Sequence, residues 1–458
     1  MNLREKSLEY ANNNFDHFVE NLKEIIRIPS VSTDHEHKPD MLLAANWLKS
    51  QMDAIGLINT QIFPTKGHPV VFGESRTIRP DVPTVLIYGH YDVQPAEPLD
   101  LWGSDPFIPE KRADYLFGRG ASDMKGQIIV CLSAVESILQ FGELPLNLKF
   151  MIEGEEEIGS PHLAAFLEDH KDFLQCDVVL NPDAGMIGPD FPTIVYALRG
   201  LAYFEIRVTG PSHDLHSGLF GGIVKNPAIA LSELIAGMHD KDGKILLPGF
   251  YDTVDLLSSE ERDQLARLPI SDETLLSQTG VKKLFGEQGF TSIERVGARP
   301  TLDVNGLYSG FTGSGSKTII PSWAMAKVSM RLVPHQTPED VYTQLVQYME
   351  ENAPKSIQWE ITKMSGGPAS IANRNHPGAI ALSDALETVW GKKPLYKREG
   401  GSIPIVADMQ KILGVDSVLT GFGLPDDNIH APNEKLHLPT WKNGVLAIIN
   451  FLFNYSGN

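Results

Sequence analysis

The sequence predicts an α/β fold with a mostly parallel sheet and a second, smaller α/β domain inserted into the first. Three observations support this fold class. The chain has 458 residues, short apolar segments alternate with helical patterns, and the pattern changes near residue 200. A chain of this length exceeds the size at which one hydrophobic core stops growing, so two domains are expected.

The first element is a helix that ends before a proline. In the segment FDHFVENLKEIIRI, apolar residues recur at helical spacing: Phe15, Phe18, Leu22, Ile25 and Ile26. Pro29 follows this segment, and a residue that precedes proline disfavours helical backbone. We therefore expect an amphipathic helix over this segment.

Three short apolar segments come next and have the character of buried strands. They are TVLIYGH, LKFMIEG and CDVVLNPD. Continuous apolar runs rich in branched side chains are typical of strands that are covered on both faces. The segment GQIIVCLSAVESILQF, between the first two, has a helical pattern. This alternation of strand and helix predicts a mostly parallel sheet.

The pattern changes after Arg199, where the strand segments LAYFEIRVTG and AMAKVSMRLVP alternate more strongly. A helical segment, NPAIALSELIAGMHD, lies between them, and a polar insertion without an assigned role covers residues 239–300. From HPGAIALSDALETVWG onwards the α/β pattern returns. We therefore predict a discontinuous domain over residues 1–199 and 375–458, and an inserted domain over 200–374.

Composition restricts the partners and the location of the protein. The formal charge of −19 would repel nucleic acids and anionic membranes, so neither is expected as a partner. Cys131 and Cys176 lie in apolar segments and are expected to be reduced thiols. Because no apolar run has the length of a signal peptide core or a membrane span, the sequence predicts a cytoplasmic protein.

Possible metal ligands follow the predicted strands. His90 and Asp92 follow the first strand, the acidic run EGEEEIGS follows the second, and Asp183 follows the third. Asp123 in a glycine-rich loop and His430 near the C-terminus are further candidates. Each residue alone has an ordinary explanation, such as turn chemistry. In open α/β sheets, however, ligands bind beyond the carboxyl ends of the strands, so the joint placement predicts a metal site.

The residue types indicate a catalytic site for two metal ions. Histidines and carboxylates without a nearby cysteine suit Zn, Mn or Co in a catalytic site better than a structural zinc. One carboxylate can bridge two ions, as is common in aminopeptidases and related hydrolases. A further carboxylate that is not a ligand can then take a proton from water, and the acidic run can supply both kinds.

Six motifs occur along the chain: GHYDVQP, GRGASDMKG, EGEEEIGS, NPD followed by YALRG, DLHSGLFGG and NIHAPNE. Together they resemble the dinuclear zinc peptidase family, which includes carnosinase-type dipeptidases, glutamate carboxypeptidases and N-acyl-amino-acid deacylases. The match covers nearly the whole chain in the expected order. DLHSGLFGG, GSGSKTIIP, MRLVP and REGGSIP are most similar to the branch of carnosinase and cytosolic nonspecific dipeptidase.

The resemblance implies two divalent ions per subunit, with Zn favoured over Mn or Co, and it implies a role for each residue at the metal site. The implied metal ligands are His90, Asp123, Glu157, Asp183 and His430, with Asp123 as the bridge. Glu156 is the implied general base, and Asp92 is the carboxylate that orients His90. The resemblance also implies a cis peptide bond between Asp123 and Met124.

The implied reaction is hydrolysis of the amide bond of dipeptides or short peptides with a free C-terminal carboxylate. Water activated by the two metals attacks, with Glu156 as base. His216 is the implied oxyanion donor. In the family this histidine often comes from the partner subunit, so a homodimer is implied, with the inserted domain as lid and dimerisation domain. The candidate substrate contacts are Thr318, Arg331, Gly401 and Ser402.

Two alternatives remain open. The chain could be an N-acyl- or N-carbamoyl-amino-acid amidohydrolase of the same family, or a non-catalytic binding protein on a degenerate peptidase fold. Within the acidic run, Glu155 is expected to support the site and Glu153 is expected to be solvated.

Overall fold

The computed structural model describes residues 1–401 and 403–457, and the chain divides into two compact units. Unit 1 comprises Met1–Tyr196, Ala372–Lys397 and Asp408–Asn458, and unit 2 comprises Ala197–Ile371 and Arg398–Ala407. Each unit has its own hydrophobic core. Within the described residues, no helix is both long enough and apolar enough to span a membrane.

The described residues contain fourteen α-helices: α1 Leu3–Asn13, α2 Phe15–Ile26, α3 Lys38–Ala54, α4 Lys125–Leu139, α5 Leu163–Asp169, α6 Ser217–Phe220, α7 Pro227–Ala236, α8 Ser259–Leu265, α9 Asp272–Thr279, α10 Ser292–Ala298, α11 Pro338–Asn352, α12 Pro377–Trp390, α13 Pro404–Leu413 and α14 Leu438–Tyr455.

The same residues contain eighteen strands: β1 Ile58–Phe63, β2 Val70–Glu74, β3 Thr84–His90, β4 Glu110–Arg112, β5 Tyr115–Phe117, β6 Asn147–Glu153, β7 Val178–Asn181, β8 Thr193–Leu198, β9 Gly200–Thr209, β10 Leu215–His216, β11 Thr301–Ser309, β12 Ile319–Ile320, β13 Trp323–Leu332, β14 Gln358–Gly367, β15 Ser370–Ile371, β16 Leu395–Glu399, β17 Ser417–Leu419 and β18 Lys435–His437.

The main sheet of unit 1 has a parallel centre. Its strand order runs β1-β2-β6-β3-β7-β17-β8, and the neighbours β6–β3, β3–β7 and β7–β17 are parallel. The three predicted strands are β3, β6 and β7, all of which are largely buried along their length. The predicted α/β fold with a large, mostly parallel sheet is therefore confirmed.

Helix α4 lies at the centre of unit 1 and presents the loop before it to the end of the sheet. It packs against β3 and against α1, α2 and α14, so all but one of its fifteen residues are buried. A helix that is apolar on every side is expected in such a position. Helix α2 buries Phe18, Leu22, Ile25 and Ile26, which confirms the predicted amphipathic face.

Unit 2 is built on a four-stranded antiparallel sheet of order β11-β13-β9-β14. Strands β9 and β13 alternate between buried and half-buried residues because α7 and α11 pack against one face of the sheet. A separate two-stranded ribbon, β10–β12, carries His216. Cys131 and Cys176, in unit 1, are free thiols.

Candidate metal centre

The candidate metal centre lies at the carboxyl end of the parallel strands in unit 1. Strand β3 ends at His90, which pairs in register with Glu153 at the end of β6. A 3-10 turn, Glu156–Ile158, follows β6, and Asp183 comes two residues after β7. Parallel strands end at the same edge of a sheet, so residues that are far apart in the sequence meet at that edge.

Two groups of possible ligands share Asp123. His90, Asp123 and Asp183 each offer an atom within 4.8 Å of the others, as do Asp123, Glu157 and His430. Asp123 Oδ1 lies 3.3 Å from Nε2 of His90, while its Oδ2 lies 3.0 Å from Nε2 of His430. One carboxylate oxygen therefore faces each group, which is the arrangement that a bridging ligand requires.

The remaining distances complete the two groups. Asp183 Oδ2 lies 3.9 Å from His90 Nε2, and Glu157 Oε2 lies 3.2 Å from His430 Nε2. The peptide bond between Asp123 and Met124 is cis, as the resemblance implied. The structure thus brings together all five residues that were predicted as metal ligands.

The chemistry of this cluster fits divalent cations. His90 Nε2 is buried and has no hydrogen-bond partner, although an unsatisfied buried polar atom costs free energy. Imidazole nitrogens and carboxylate oxygens are the donors that Zn, Mn and Co accept in catalytic sites. A cation bound to Nε2 would satisfy it, so the residues present fit the group that the sequence predicts.

The carboxylates and histidines of the cluster perturb one another's protonation. Burial raises the pKa of Asp183 to about 7 and that of Glu156 to about 9, because removal from water disfavours the ionised form of a carboxyl group. Hydrogen bonds to Asp123 and Glu157 raise the pKa of His430 to about 10. Without metal, the cluster therefore holds protons that a divalent cation would displace.

Opposing effects act on the two central residues. Burial disfavours the charged form of His90, but the adjacent carboxylates of Asp123 and Asp92 outweigh it and raise the pKa of His90 well above its ordinary value. Burial likewise disfavours the ionised form of Asp123, yet the hydrogen bond from His430 and the adjacent imidazole of His90 hold its pKa below the usual range. Asp123 therefore stays ionised more readily than Asp183 or Glu156.

Asp92 connects His90 to the acidic turn. Both side chains are completely buried, with His90 Nδ1 3.3 Å from Asp92 Oδ1 and 3.1 Å from its carbonyl oxygen. Asp92 Oδ1 also accepts the backbone N–H of Glu156 at 3.3 Å, and Asp92 Oδ2 accepts the backbone N–H of Glu157 at 3.0 Å. An Nδ1–H donated to Asp92 leaves Nε2 free to bind a cation.

Glu156 faces the cluster without belonging to either ligand group. Its Oε2 lies 3.9 Å from Nε2 of His90, and its side chain is 18% exposed. A carboxylate at this distance can exchange protons with a molecule held between it and the ligands, which is the geometry expected of a general base.

The other two glutamates of the acidic run are both buried. Glu155 accepts hydrogen bonds from the backbone N–H of His68 and from Nδ1 of His162. Glu153 accepts hydrogen bonds from the hydroxyls of Tyr88 and Ser160, at 2.6 and 2.8 Å. The prediction that Glu153 is solvated was wrong, because the parallel neighbour β3 supplies Tyr88 and covers the end of β6.

Two residues that contact the cluster were missed from the sequence. Gln94 Nε2 donates a hydrogen bond of 2.8 Å to Glu157 Oε2. Glu434 accepts a hydrogen bond from the backbone N–H of Asp123 at 3.1 Å. Both lie inside motifs quoted above, GHYDVQP and NIHAPNE, so their place in those motifs was the available signal.

His216, Thr318, Arg331 and Gly401 lie in unit 2. His216 is exposed at the end of β10, and its Nδ1 accepts the N–H of Gly218 at 3.0 Å. Thr318 accepts the N–H of Ser217 through its carbonyl oxygen, next to the same ribbon. Gly401 is exposed, whereas Ser402 lies outside the described residues.

Arg331 is half-buried on β13 and lines a cavity of about 360 Å³ within unit 2. Arg199 lines the same cavity, and burial together with the nearby guanidinium of Arg331 lowers the pKa of Arg199 to about 10. Glu287 and Asp303 line the cavity as well, so its lining carries charges of both signs.

Comparisons with known proteins identify similar sequences and structures. A sequence profile of Peptidase family M20/M25/M40 matches residues 86–454. The Cys-Gly metallodipeptidase DUG1 of Candida albicans is 33% identical over 459 aligned residues, which cover 96% of this chain and 94% of that protein. The human Beta-Ala-His dipeptidase is 33% identical over 455 residues, which cover 95% and 89%.

A solved structure is similar along nearly the whole chain. Sso-CP2, an M20 family metallo-carboxypeptidase from Sulfolobus solfataricus, superposes with a TM-score of 0.84 at 33% sequence identity. The superposition covers 96% of this chain and 99% of that one.

Proposed function

The chain belongs to Peptidase family M20/M25/M40, and on this premise we propose that it is a metal-dependent dipeptidase. Its substrates are dipeptides or short peptides with a free C-terminal carboxylate. Support comes from two relatives along nearly their full length, whose names specify Cys-Gly and Beta-Ala-His as substrates. The chain is thus a hydrolase that acts on peptide bonds.

The main support for the proposal is that the two oxygens of the Asp123 carboxylate face different ligand groups. One oxygen faces His90 and the other faces His430, so a single residue can serve two cations. His90, Asp123 and Asp183 would hold one ion, and Asp123, Glu157 and His430 the other. Bound cations of this kind polarise a carbonyl group and lower the pKa of water.

The side chains of the site then have separate tasks. Glu156 takes the proton of the attacking water on its carboxylate and transfers it to the departing amine. Asp92 holds the imidazole of His90 in one orientation and fixes the turn that carries Glu156. His216 donates a hydrogen bond to the oxygen that becomes negative when the carbonyl is attacked.

The substrate carboxylate is assigned to Arg331, because a guanidinium group can bind a carboxylate through two parallel hydrogen bonds. Thr318, Gly401 and Ser402 are proposed as further substrate contacts. We also propose that the ions are Zn, with Mn or Co as alternatives, and that the enzyme is a homodimer with unit 2 as lid and dimerisation domain. A cytoplasmic location stays a prediction of the sequence.

Two other activities within the family need to be separated from this one. The name of Sso-CP2 specifies a carboxypeptidase, which favours longer peptides as substrates. An N-acyl- or N-carbamoyl-amino-acid amidohydrolase would use the same metal chemistry on a substrate without an N-terminal amine. The third alternative, a non-catalytic binding protein, is disfavoured because all five ligands and the candidate base lie together.

One substrate panel tests these possibilities. The purified chain is loaded with Zn²⁺, Mn²⁺ or Co²⁺ and assayed on di-, tri- and tetrapeptides and on N-acetyl and N-carbamoyl amino acids that share one C-terminal residue. We expect kcat/KM to be highest for dipeptides. A maximum on tetrapeptides would indicate a carboxypeptidase, and activity restricted to the acylated amino acids would indicate an amidohydrolase. No activity on any substrate with any metal would contradict the proposal as a whole.

A further inference from the structure

We propose that Glu434 is a positioning residue for the metal centre. It holds the loop that carries Asp123 against the segment that carries His430, and so sets the geometry between these two ligands. The inference rests on the proposed metal-dependent function, and it assigns a task to a residue that touches neither substrate nor metal.

The carboxylate of Glu434 is fully occupied by donors from one short loop. Its Oε1 accepts the backbone N–H groups of Ser122 and Asp123, at 2.9 and 3.1 Å. Its Oε2 accepts the N–H of Gly120 at 2.9 Å and Nη1 of Arg119 at 2.8 Å. An ionised carboxylate offers about four lone-pair sites, so this side chain has no acceptor capacity left for any other group.

The same residue is fixed from the side of His430. Glu434 follows His430 by four positions and directly precedes β18, which pairs with β5. Its own carbonyl oxygen accepts the N–H of Gly118 at 3.0 Å. The backbone and the side chain of one residue therefore anchor the loop between β5 and α4 to the C-terminal segment, and the 3.0 Å separation of Asp123 and His430 is set across this connection.

Arg119 balances the charge of Glu434 inside the protein. The side chains of both residues are 1% exposed. Arg119 also donates Nη2 to the carbonyl oxygen of Pro95 at 3.0 Å, and its guanidinium lies over the ring of Trp102. Desolvation opposes the attraction between the charges of a buried ion pair, so the pair is weak evidence for a contribution to stability. This arrangement suits a residue whose task is orientation.

A second carboxylate supports the same loop from another direction. Ser122 Oγ donates to Asp427 Oδ2 at 2.7 Å, and Gln127 Nε2 donates to the carbonyl oxygen of Ser122 at 3.2 Å. Glu434 is the member of this network that contacts the backbone of Asp123 itself. Loss of the Glu434 carboxylate should therefore displace Asp123, the ligand shared by both groups, while the rest of the network holds the loop in place.

The isosteric substitution Glu434→Gln isolates this role. The glutamine amide would turn its NH₂ group either towards the N–H groups of Ser122 and Asp123 or towards Gly120 and Arg119. In both orientations two donors face a third donor, so one pair of hydrogen bonds is lost. The size of the side chain is unchanged, but Arg119 loses its buried counter-charge, so a second variant that keeps the charge is needed beside this one.

The test measures the binding of Zn²⁺ and Co²⁺ to the full-length chain by competition with a chromophoric chelator. Wild type is expected to bind two ions. Glu434→Gln is expected to bind both ions about 10–100-fold more weakly than wild type, as is typical when a supporting residue of a metal ligand is changed, because Asp123 belongs to both ligand groups. The visible spectrum of the Co²⁺ protein should change for both weakened sites.

Glu136→Gln serves as the matched control. Glu136 is also a largely buried carboxylate, 8% exposed, and accepts a hydrogen bond from the Tyr10 hydroxyl at 3.1 Å. It lies on α4 about 16 Å along the helix from Lys125, by the rise of 1.5 Å per residue. This variant should bind both ions as wild type does.

A second variant covers the case in which Glu434→Gln does not fold. Glu434→Asp keeps the charge that pairs with Arg119 but withdraws the carboxylate by one methylene group, so the bonds to Ser122 and Asp123 lengthen. We expect affinities for the two ions between those of wild type and Glu434→Gln. If both variants bind two ions as tightly as wild type, the proposal for Glu434 is overturned and the dipeptidase function stands. If wild type binds no divalent ion, both are overturned.

Discussion

The residues proposed for metal binding and those proposed for substrate binding differ in how the protein holds them. In unit 1, His90 and Asp92 are completely buried, and Asp123 and Glu157 each lie within 3.3 Å of a histidine ligand, although His430 itself is 53% exposed. In unit 2, His216 and Gly401 are exposed, and His216 makes its hydrogen bond within its own turn. Most of the candidate metal ligands are therefore held below the surface by their neighbours, whereas His216 and Gly401 lie on a surface that can be reached from solvent.

Removal of the metal ions should have the largest effect on activity, and this effect should arise in unit 1 alone. Treatment with a chelator is expected to lower kcat/KM by more than about 10³-fold, because cations of this kind contribute several kcal/mol to transition-state stabilisation. The midpoint of thermal unfolding should also fall, since an ion that binds only the folded state stabilises it. Activity assays and thermal scans before and after addition of Zn²⁺, Mn²⁺ or Co²⁺ measure both effects. Full activity in excess chelator would contradict the metal centre.

Glu156→Gln should separate proton transfer from metal binding within the same unit. We expect kcat to fall by about 10²–10⁴-fold, the range that a general base contributes, because the amide cannot accept a proton. The number of bound ions should stay at the wild-type value, since Glu156 belongs to neither ligand group. Steady-state kinetics and metal analysis on the same preparation measure the two quantities. A kcat within a few-fold of wild type would move the role of base to another group.

His216→Ala extends the comparison to unit 2. Loss of the donor to the oxyanion should lower kcat by about 10²–10³-fold, while the ions of unit 1 stay bound as in wild type. Kinetics together with metal titration distinguish this outcome from a general loss of structure. Loss of metal together with activity would show that His216 supports the metal centre and does not act on the substrate.

Mixing two inactive variants tests which subunit supplies His216. If it acts in the partner subunit, a homodimer of one Glu156→Gln chain and one His216→Ala chain contains one intact site. Random exchange of subunits should then restore about a quarter of the wild-type activity, given that half of the dimers are mixed. If each His216 acts in its own chain, no activity is recovered. Activity assays before and after subunit exchange distinguish these two arrangements.

More of the metal centre than of its surroundings could be predicted from the sequence, and the reasons are physical. Strands β3, β6 and β7 are continuous apolar runs in a parallel sheet, so the residues that follow them must meet at one edge. Local pattern and a general rule of sheet geometry were sufficient there. The family resemblance then separated the ligands from the other polar residues of the same loops.

The errors and omissions concern contacts between distant parts of the sequence. Four acidic residues within the run around Glu153 suggest solvation, and only the fold places the Tyr88 hydroxyl, 65 positions away, against that carboxylate. Glu434 follows a predicted ligand, but its hydrogen bonds to Ser122 and Asp123 span more than 300 positions. Hydrogen bonds of this range depend on the complete fold, which periodicity and spacing do not determine.

Arg331→Met should affect substrate binding more than catalysis. A hydrogen-bonded ion pair contributes about 1.5–3 kcal/mol, so KM for dipeptides should rise by roughly 10–100-fold with a smaller change in kcat. The same variant should treat a dipeptide amide, which lacks the carboxylate, much as wild type does. This pair of substrates is the control, and an equal loss on both would show that Arg331 stabilises unit 2 and does not bind the carboxylate.

Glu153→Gln should have the smallest effect on turnover and should appear instead in the stability of unit 1. Burial raises the pKa of Glu153 to about 8, although hydrogen bonds from Tyr88 and Ser160 oppose the shift. Because the folded pKa lies above the unfolded value, the folded chain binds the extra proton between about pH 4.5 and pH 8, and stability falls as pH rises through that window. Glutamine does not titrate and avoids this loss.

The stability of Glu153→Gln relative to wild type should therefore increase from pH 4.5 to pH 8, by on the order of a few kcal/mol, and then level off. Urea unfolding of the chelator-treated proteins at several pH values measures the difference. Glu153 Oε2 is buried without a hydrogen-bond partner, which is the position where an amide or a protonated acid is tolerated and a full charge is not. A difference that does not change with pH would mean that Glu153 is ionised in the folded chain and that unit 1 stabilises this charge through a group other than Tyr88 and Ser160.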